Sequence, residues 1–205
     1  MVEIYLKSTP SMDYDAVPVA EKARCLTESQ EDEIERAKAL FYFVRDQIKY
    51  NPYLPALPGQ ITFENHKASA TLKRGEGYCI QKAVLFAALA RAVGIPARLR
   101  FADIKNYLAP KEIAEMTTDN VFNYHGYCEL YLEGMWVKAA PTFDLKICQK
   151  HQIIPVDFDG KNDAVLHRYN LEGKLHIEYI HDYGCYDDLP WDEIYECMSS
   201  IIADI

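Results

Sequence analysis

One thiol in this chain sits where the backbone changes thiol chemistry. Cys79 follows the glycine-rich run Gly75-Glu76-Gly77-Tyr78 and opens a long apolar segment that ends near Val93. A helix starting there leaves its first N–H groups unpaired and points the positive end of its dipole at the sulfur. Both favour an anion, so a thiol in that position is expected to ionise below its free value of roughly 8.5. Gly75 and Gly77 let the backbone bend tightly ahead of it. A nucleophilic thiol also needs a base, and the base needs an orienting group. His125 is the candidate base, at the start of an alternating segment. Alternation puts His125, Tyr127, Glu129 and Tyr131 on one face and Gly126, Cys128, Leu130 and Leu132 on the other.

The other cysteines, at 25, 128, 148, 185 and 197, form no C-x-x-C pair and have long, uneven gaps. No zinc site or redox motif is expected, and by default each is a small apolar residue. The histidines at 66, 151, 167, 176 and 181 show no metal spacing and are expected to be surface or structural. The acidic run Asp157–Asp163 lacks the full spacing and closing Glu of a calcium loop and reads as a solvated turn. No metal and no cofactor are therefore expected.

Elements that could position Cys79 and His125 follow from the apolar periodicity. Ile34, Ala37, Leu40, Phe41, Val44 and Ile48 recur at spacings of three and four, which predicts an amphipathic helix from about Glu28 to Tyr50. Residues 1–27, with Pro10 and Pro18, read as extended or irregular. Asn51–Gly77, with three prolines, reads as a loop with at most a short helical turn. Cys79 to about Val93 is apolar on nearly every face, which predicts a buried helix stopped by Gly94 and Pro96. Ala97–Ile104 predicts a strand, and Tyr124–Gly134 with Met135–Pro141 a hairpin. Lys174–Gly184 predicts a further strand, and Trp191–Ile205 a terminal amphipathic helix. Helices first and strands second indicate an α+β fold in one domain over residues 1–205.

Composition narrows the function classes. With 49% hydrophobic residues in 205, the chain can bury a sizeable core. Asp and Glu total 31 against 22 Lys and Arg, a net charge of -9, which argues against a nucleic-acid partner. No signal peptide is read at the start, and the run Ala83–Ala90 is too short to span a bilayer. A cytoplasmic protein with no membrane partner is the expectation.

Three stretches together resemble the transglutaminase-like superfamily, the Cys-His-Asp branch of the papain-like enzymes. They are "ERAKALFYFVRDQIKY", "TLKRGEGYCIQKAVLFAALARAVGIPARLR" and "HGYCELYLEGMWVKAAPTFD". They span about Glu28 to Asp144, the core of such domains, with residues 145–205 as C-terminal strands and helix. The resemblance implies a buried helix carrying the Cys, packed on an antiparallel sheet carrying the His. It also implies a catalytic triad with Cys79 as thiol nucleophile and His125 as base. The family's acid, directly before Pro-Thr, is replaced here by Ala140. Asp144 supplies the carboxylate if the chain turns back after Pro141; otherwise a backbone carbonyl or Asn123 holds the imidazole. Gln60 or Asn51 is the candidate side-chain donor to an oxyanion, beside the Cys79 N–H.

The activity implied is acyl transfer through a Cys thioester on a peptide or protein amide, including a glutamine side chain. Hydrolysis by a cysteine protease or amidase is expected over cross-linking. The alternative is a catalytically impaired binding or scaffold domain, for which Ala140 is the main support. An arylamine acyltransferase shares the same chemistry, but this chain is short for that group.

Overall fold

The computed structural model describes residues 2–115 and 117–203. Two helices open the fold. α1 (Val17–Thr27) buries Val19, Ala23 and Thr27 on one face. This corrects the expectation of an irregular start. Pro18 lies in the first turn, where a missing N–H costs nothing, so the residue read as a breaker begins the helix. α2 (Glu33–Gln47) is capped by Asp32, whose carboxylate accepts from the Glu35 N–H at 3.0 Å. Its buried face is Ile34, Ala37, Leu40, Phe41 and Val44, as the spacing predicts.

The segment expected as a loop holds more helix than its prolines suggest. A helical turn forms at Phe63–His66, and α3 runs over Ala68–Arg74. α3 buries only Ala68 and Thr71, too few positions to write a period into the sequence. It ends at Gly75 in the left-handed conformation, φ 72°, which a side chain would strain. Lys49–Tyr50 then pairs in parallel with Glu76–Gly77. That short pairing brings Tyr50 beside the start of the next helix.

α4 (Cys79–Ala92) is buried at every residue from Ile80 to Arg91. Its two interior charges are satisfied by carbonyls. Lys82 Nζ donates to Arg45 O at 3.0 Å and Ile48 O at 2.6 Å, at the C-terminal end of α2. Arg91 donates to Ala97 O, Lys7 O and Asp187 O. Buried cations held this way tie distant segments to one helix.

The sheet is antiparallel and four-stranded. β1 (Ala97–Asn106), β2 (Val121–Leu132), β3 (Met135–Ala139) and β4 (Ile177–Tyr186) lie in the order β3-β2-β1-β4. β2 and β3 form the expected hairpin through Glu133 and Gly134, both at positive φ. α5 (Leu145–His151) and α6 (Trp191–Ala203) complete the fold; α5 was not expected. α4 lies on the sheet, with Cys128 Sγ donating to Ala83 O at 3.1 Å. The expected α+β architecture, a buried Cys helix on an antiparallel His sheet, is what forms. No helix among the described residues is long and apolar enough to cross a membrane.

Candidate active site

Cys79 is the first residue of α4, held there by a reciprocal turn. Gln81 Oε1 accepts from the Tyr78 N–H at 3.3 Å, and Gln81 Nε2 donates to Asn65 O at 3.0 Å. The backbone of Gly126, Ile80 and Cys79 itself favours the ionised form of the sulfur. Gly126 reaches it because β2 crosses the helix start at very close range. A Cβ added there would lie 3.0 Å from the Ile80 Cα and 3.2 Å from the Phe101 ring.

His125 is brought to the same place by an irregularity in β2. Ala102 pairs with His125 and Ile104 with Phe122, so one β1 residue faces two in β2. Tyr124 takes up the extra residue at φ 53°, and its N–H is held by Asp103 Oδ1 at 3.2 Å. A bulge of this kind re-aims a side chain at a sheet edge. Simple alternation cannot reveal it.

Cys79 and His125 line one cavity of about 140 Å3, whose walls are mostly apolar, including Pro55, Ile113, Phe122 and Met198. A second cavity of about 80 Å3 shares Cys79, His125, Tyr50 and Phe122 and continues toward Thr142 and His176. The pair therefore sits at the waist between two hollows. Among the described residues no Asp, Glu, Lys or Arg lines either one.

Burial sets the resting protonation. It pushes the Cys79 thiol up to about 11, against the backbone groups that pull it down. It lowers His125 to about 3. The expected low thiol value is thus corrected: desolvation outweighs the helix start, and the resting pair is a neutral thiol beside a neutral imidazole.

The orienting acid is where the structure departs from expectation. Asp144 caps α5 through Oδ1, which accepts from the Ile147 N–H at 3.0 Å. Its Oδ2 accepts from the Tyr50 N–H at 2.8 Å. Both oxygens are committed, and no hydrogen bond joins Asp144 to His125, because the chain enters α5 instead of turning back after Pro141. His125 Nε2 is buried with no partner, so neither a carbonyl nor Asn123 holds it. Ala140 lies in a buried cluster with Ala102 and Tyr127, and the Tyr127 ring stacks on His125 at 6.0 Å. Apolar and aromatic contacts fix the imidazole where a carboxylate was expected.

Gln60 lines neither cavity. Asn51 is engaged by Glu76 and by the Tyr53 N–H. The donors near the sulfur are backbone groups, and Tyr50, which lines both hollows, is the side chain that sequence reading missed. His66 is buried and bonded to Thr62 O and Tyr78 OH, as a structural histidine would be, and His176 is buried as well. No group of three or more His, Cys, Asp or Glu among the described residues could hold a metal ion.

Comparison with known proteins gives the family. The family model described as the transglutaminase-like superfamily matches residues 20–141. The chain belongs to that superfamily. Among solved structures it is similar to a candidate cysteine protease of Cytophaga hutchinsonii, with 17% identity and a TM-score of 0.52. That match covers 90% of this chain and 54% of that one. A candidate protease of Parabacteroides distasonis matches at 13% identity and TM-score 0.46, over 68% of this chain and 26% of that one. The periplasmic domain of TgpA from Pseudomonas aeruginosa matches at 21% and 0.41, over 61% and 42%. The chain spans between about a quarter and just over half of these proteins' lengths. No curated protein matches it.

Proposed function

We propose that this protein catalyses thiol-dependent acyl transfer on an amide, a peptide bond or a glutamine side chain, with water as the usual acceptor. The observation that carries the reading is the placement of Cys79. It opens a buried helix where β2 crosses at close range, and His125 stands on the wall of the same cavity.

With both groups neutral at rest, His125 acts as a general base at the moment of attack. It takes the Sγ proton as sulfur bonds to the carbonyl carbon, and the N–H groups at the helix start receive the charge that develops on oxygen. The imidazolium returns the proton to the leaving nitrogen as the C–N bond breaks, leaving a thioester. Water, deprotonated by His125, then cleaves the thioester and frees the thiol. Asp144 is a positioning residue in this scheme, since it ties α5 to the backbone of Tyr50 beside the sulfur. The partnerless Nε2 supports a second reading, a superfamily member whose chemistry is impaired and which serves as a binding domain.

p-Nitrophenyl valerate separates the two. The expected outcome is a burst of p-nitrophenol, an acyl mass increment on Cys79, and loss of both in Cys79→Ser. Valeric acid should remain the main product when methylamine is added; the N-methylamide as main product would indicate transamidation. A burst unchanged in Cys79→Ser and in His125→Ala would leave the binding-domain reading standing.

A further inference from the structure

The mechanism uses one buried histidine of the two that border the site. His176 is 1% exposed, and both of its ring nitrogens are buried without a hydrogen-bond partner. Its backbone is pinned on both sides: its N–H donates to Arg168 O at 2.7 Å, and its carbonyl accepts from the Tyr107 N–H at 2.9 Å. Its ring lies 5.9 Å from that of Phe143. The imidazole is therefore held in place by packing, with its hydrogen-bonding capacity unused. An unmade bond in a buried polar group is a standing cost, which a bound partner of matching chemistry would remove.

The position says what could arrive. His176 lines the smaller hollow together with Cys79 and His125. Among the described residues no Asp, Glu, Lys or Arg lines that hollow; its other polar side chains include Asn106, Thr142 and His151, so it suits an uncharged, hydrogen-bonding group. A neutral imidazole presents one N–H donor and one bare acceptor nitrogen. An amide carries the complementary pair, a carbonyl oxygen and an N–H. We propose that His176 is a substrate-recognition residue, and that its hollow is a subsite for an amide group lying next to the carbonyl that Cys79 attacks. The larger, apolar hollow takes the hydrocarbon portion on the other side. This rests on the acyl-transfer reading and adds a specificity to it: substrates with a peptide-like group beside the reacting carbonyl are preferred over plain acyl chains.

Two esters of equal chain length test it. N-acetylglycine p-nitrophenyl ester carries an amide where p-nitrophenyl valerate carries methylenes. The acylation rate of Cys79 by each, taken as a ratio, cancels differences in intrinsic reactivity when wild type is compared with His176→Phe and His176→Gln. The ratio should fall about tenfold in His176→Phe, while His176→Gln, which keeps a donor and an acceptor, retains part of the preference. Thermal midpoints identify a variant that fails by misfolding, and the glutamine variant then carries the comparison. A ratio unchanged in both variants, with Cys79 still acylated, overturns the role of His176 alone. Absence of acylation by either ester in the wild type overturns the acyl-transfer reading and the subsite with it.

Discussion

At the scale of single residues, the site is defined by what His125 lacks. Its Nε2 is buried and unpaired, and the position that a carboxylate is expected to hold is Ala140, packed with Ala102 and Tyr127. An orienting acid fixes the imidazole and stabilises the cation that forms as it takes a proton. Ala140→Asp should therefore raise the acylation rate of Cys79, by about tenfold if the carboxylate reaches Nε2. It should also raise the value at which His125 titrates, which a pH profile of acylation reads directly. A variant that is folded but no faster would show that the stacked Tyr127 already holds the ring. The sequence alone could single out Cys79, because a helix start is a local feature, whereas His125 reaches the same cavity through the bulge at Tyr124. It could not place Asp144, because the use of its carboxylate depends on where the chain goes after Pro141. Asp32 before α2 and Asp144 before α5 are both helix caps; only the first stood ahead of a visible apolar period.

At the scale of elements, the close crossing of β2 over the start of α4 sets the reactive geometry. Gly126 allows it, since a Cβ would press on the Ile80 Cα at 3.0 Å. Gly126→Ala should push β2 off the helix and move its N–H away from the sulfur. We expect a loss of about 1–3 kcal/mol in stability, on the scale of overpacking in a core. The loss of Cys79 acylation should exceed what the stability change explains, as seen by comparing rates well below the melting point. The elements themselves were legible where burial writes a period. α2, α4 and the β2–β3 hairpin follow from apolar spacing and a Glu-Gly turn. α1 was hidden by Pro18, whose first-turn position is invisible until the helix is known. α3 was hidden by its length, and the bulge at Tyr124 by the assumption of regular alternation.

At the scale of the whole molecule, three buried histidines make the fold sensitive to acid. Burial lowers His66 to about 4, His125 to about 3 and His176 to about 4, from an ordinary 6.5. In the unfolded chain these groups bind protons near 6.5, so between 6.5 and about 4 the unfolded state holds more protons than the folded one. Stability then falls as pH falls through that window and is unaffected by these groups above it. With each unit of difference corresponding to about 1.4 kcal/mol, the loss by pH 4 is on the order of several kcal/mol. Urea midpoints should drop clearly from pH 7.5 to pH 5. An unchanged midpoint would mean that the three histidines are solvated.

The central claim is that Cys79 and His125 work as one unit. Alkylation by iodoacetamide, followed cysteine by cysteine by mass spectrometry in wild type and His125→Ala, tests it most directly. Cys25 is exposed and serves as the internal reference. Cys79 should lose at least about tenfold in rate at pH 7.5 without His125, while Cys25 keeps its rate. Equal rates at Cys79 in the two proteins would contradict it, and would leave the thiol as a packing residue at the start of a buried helix.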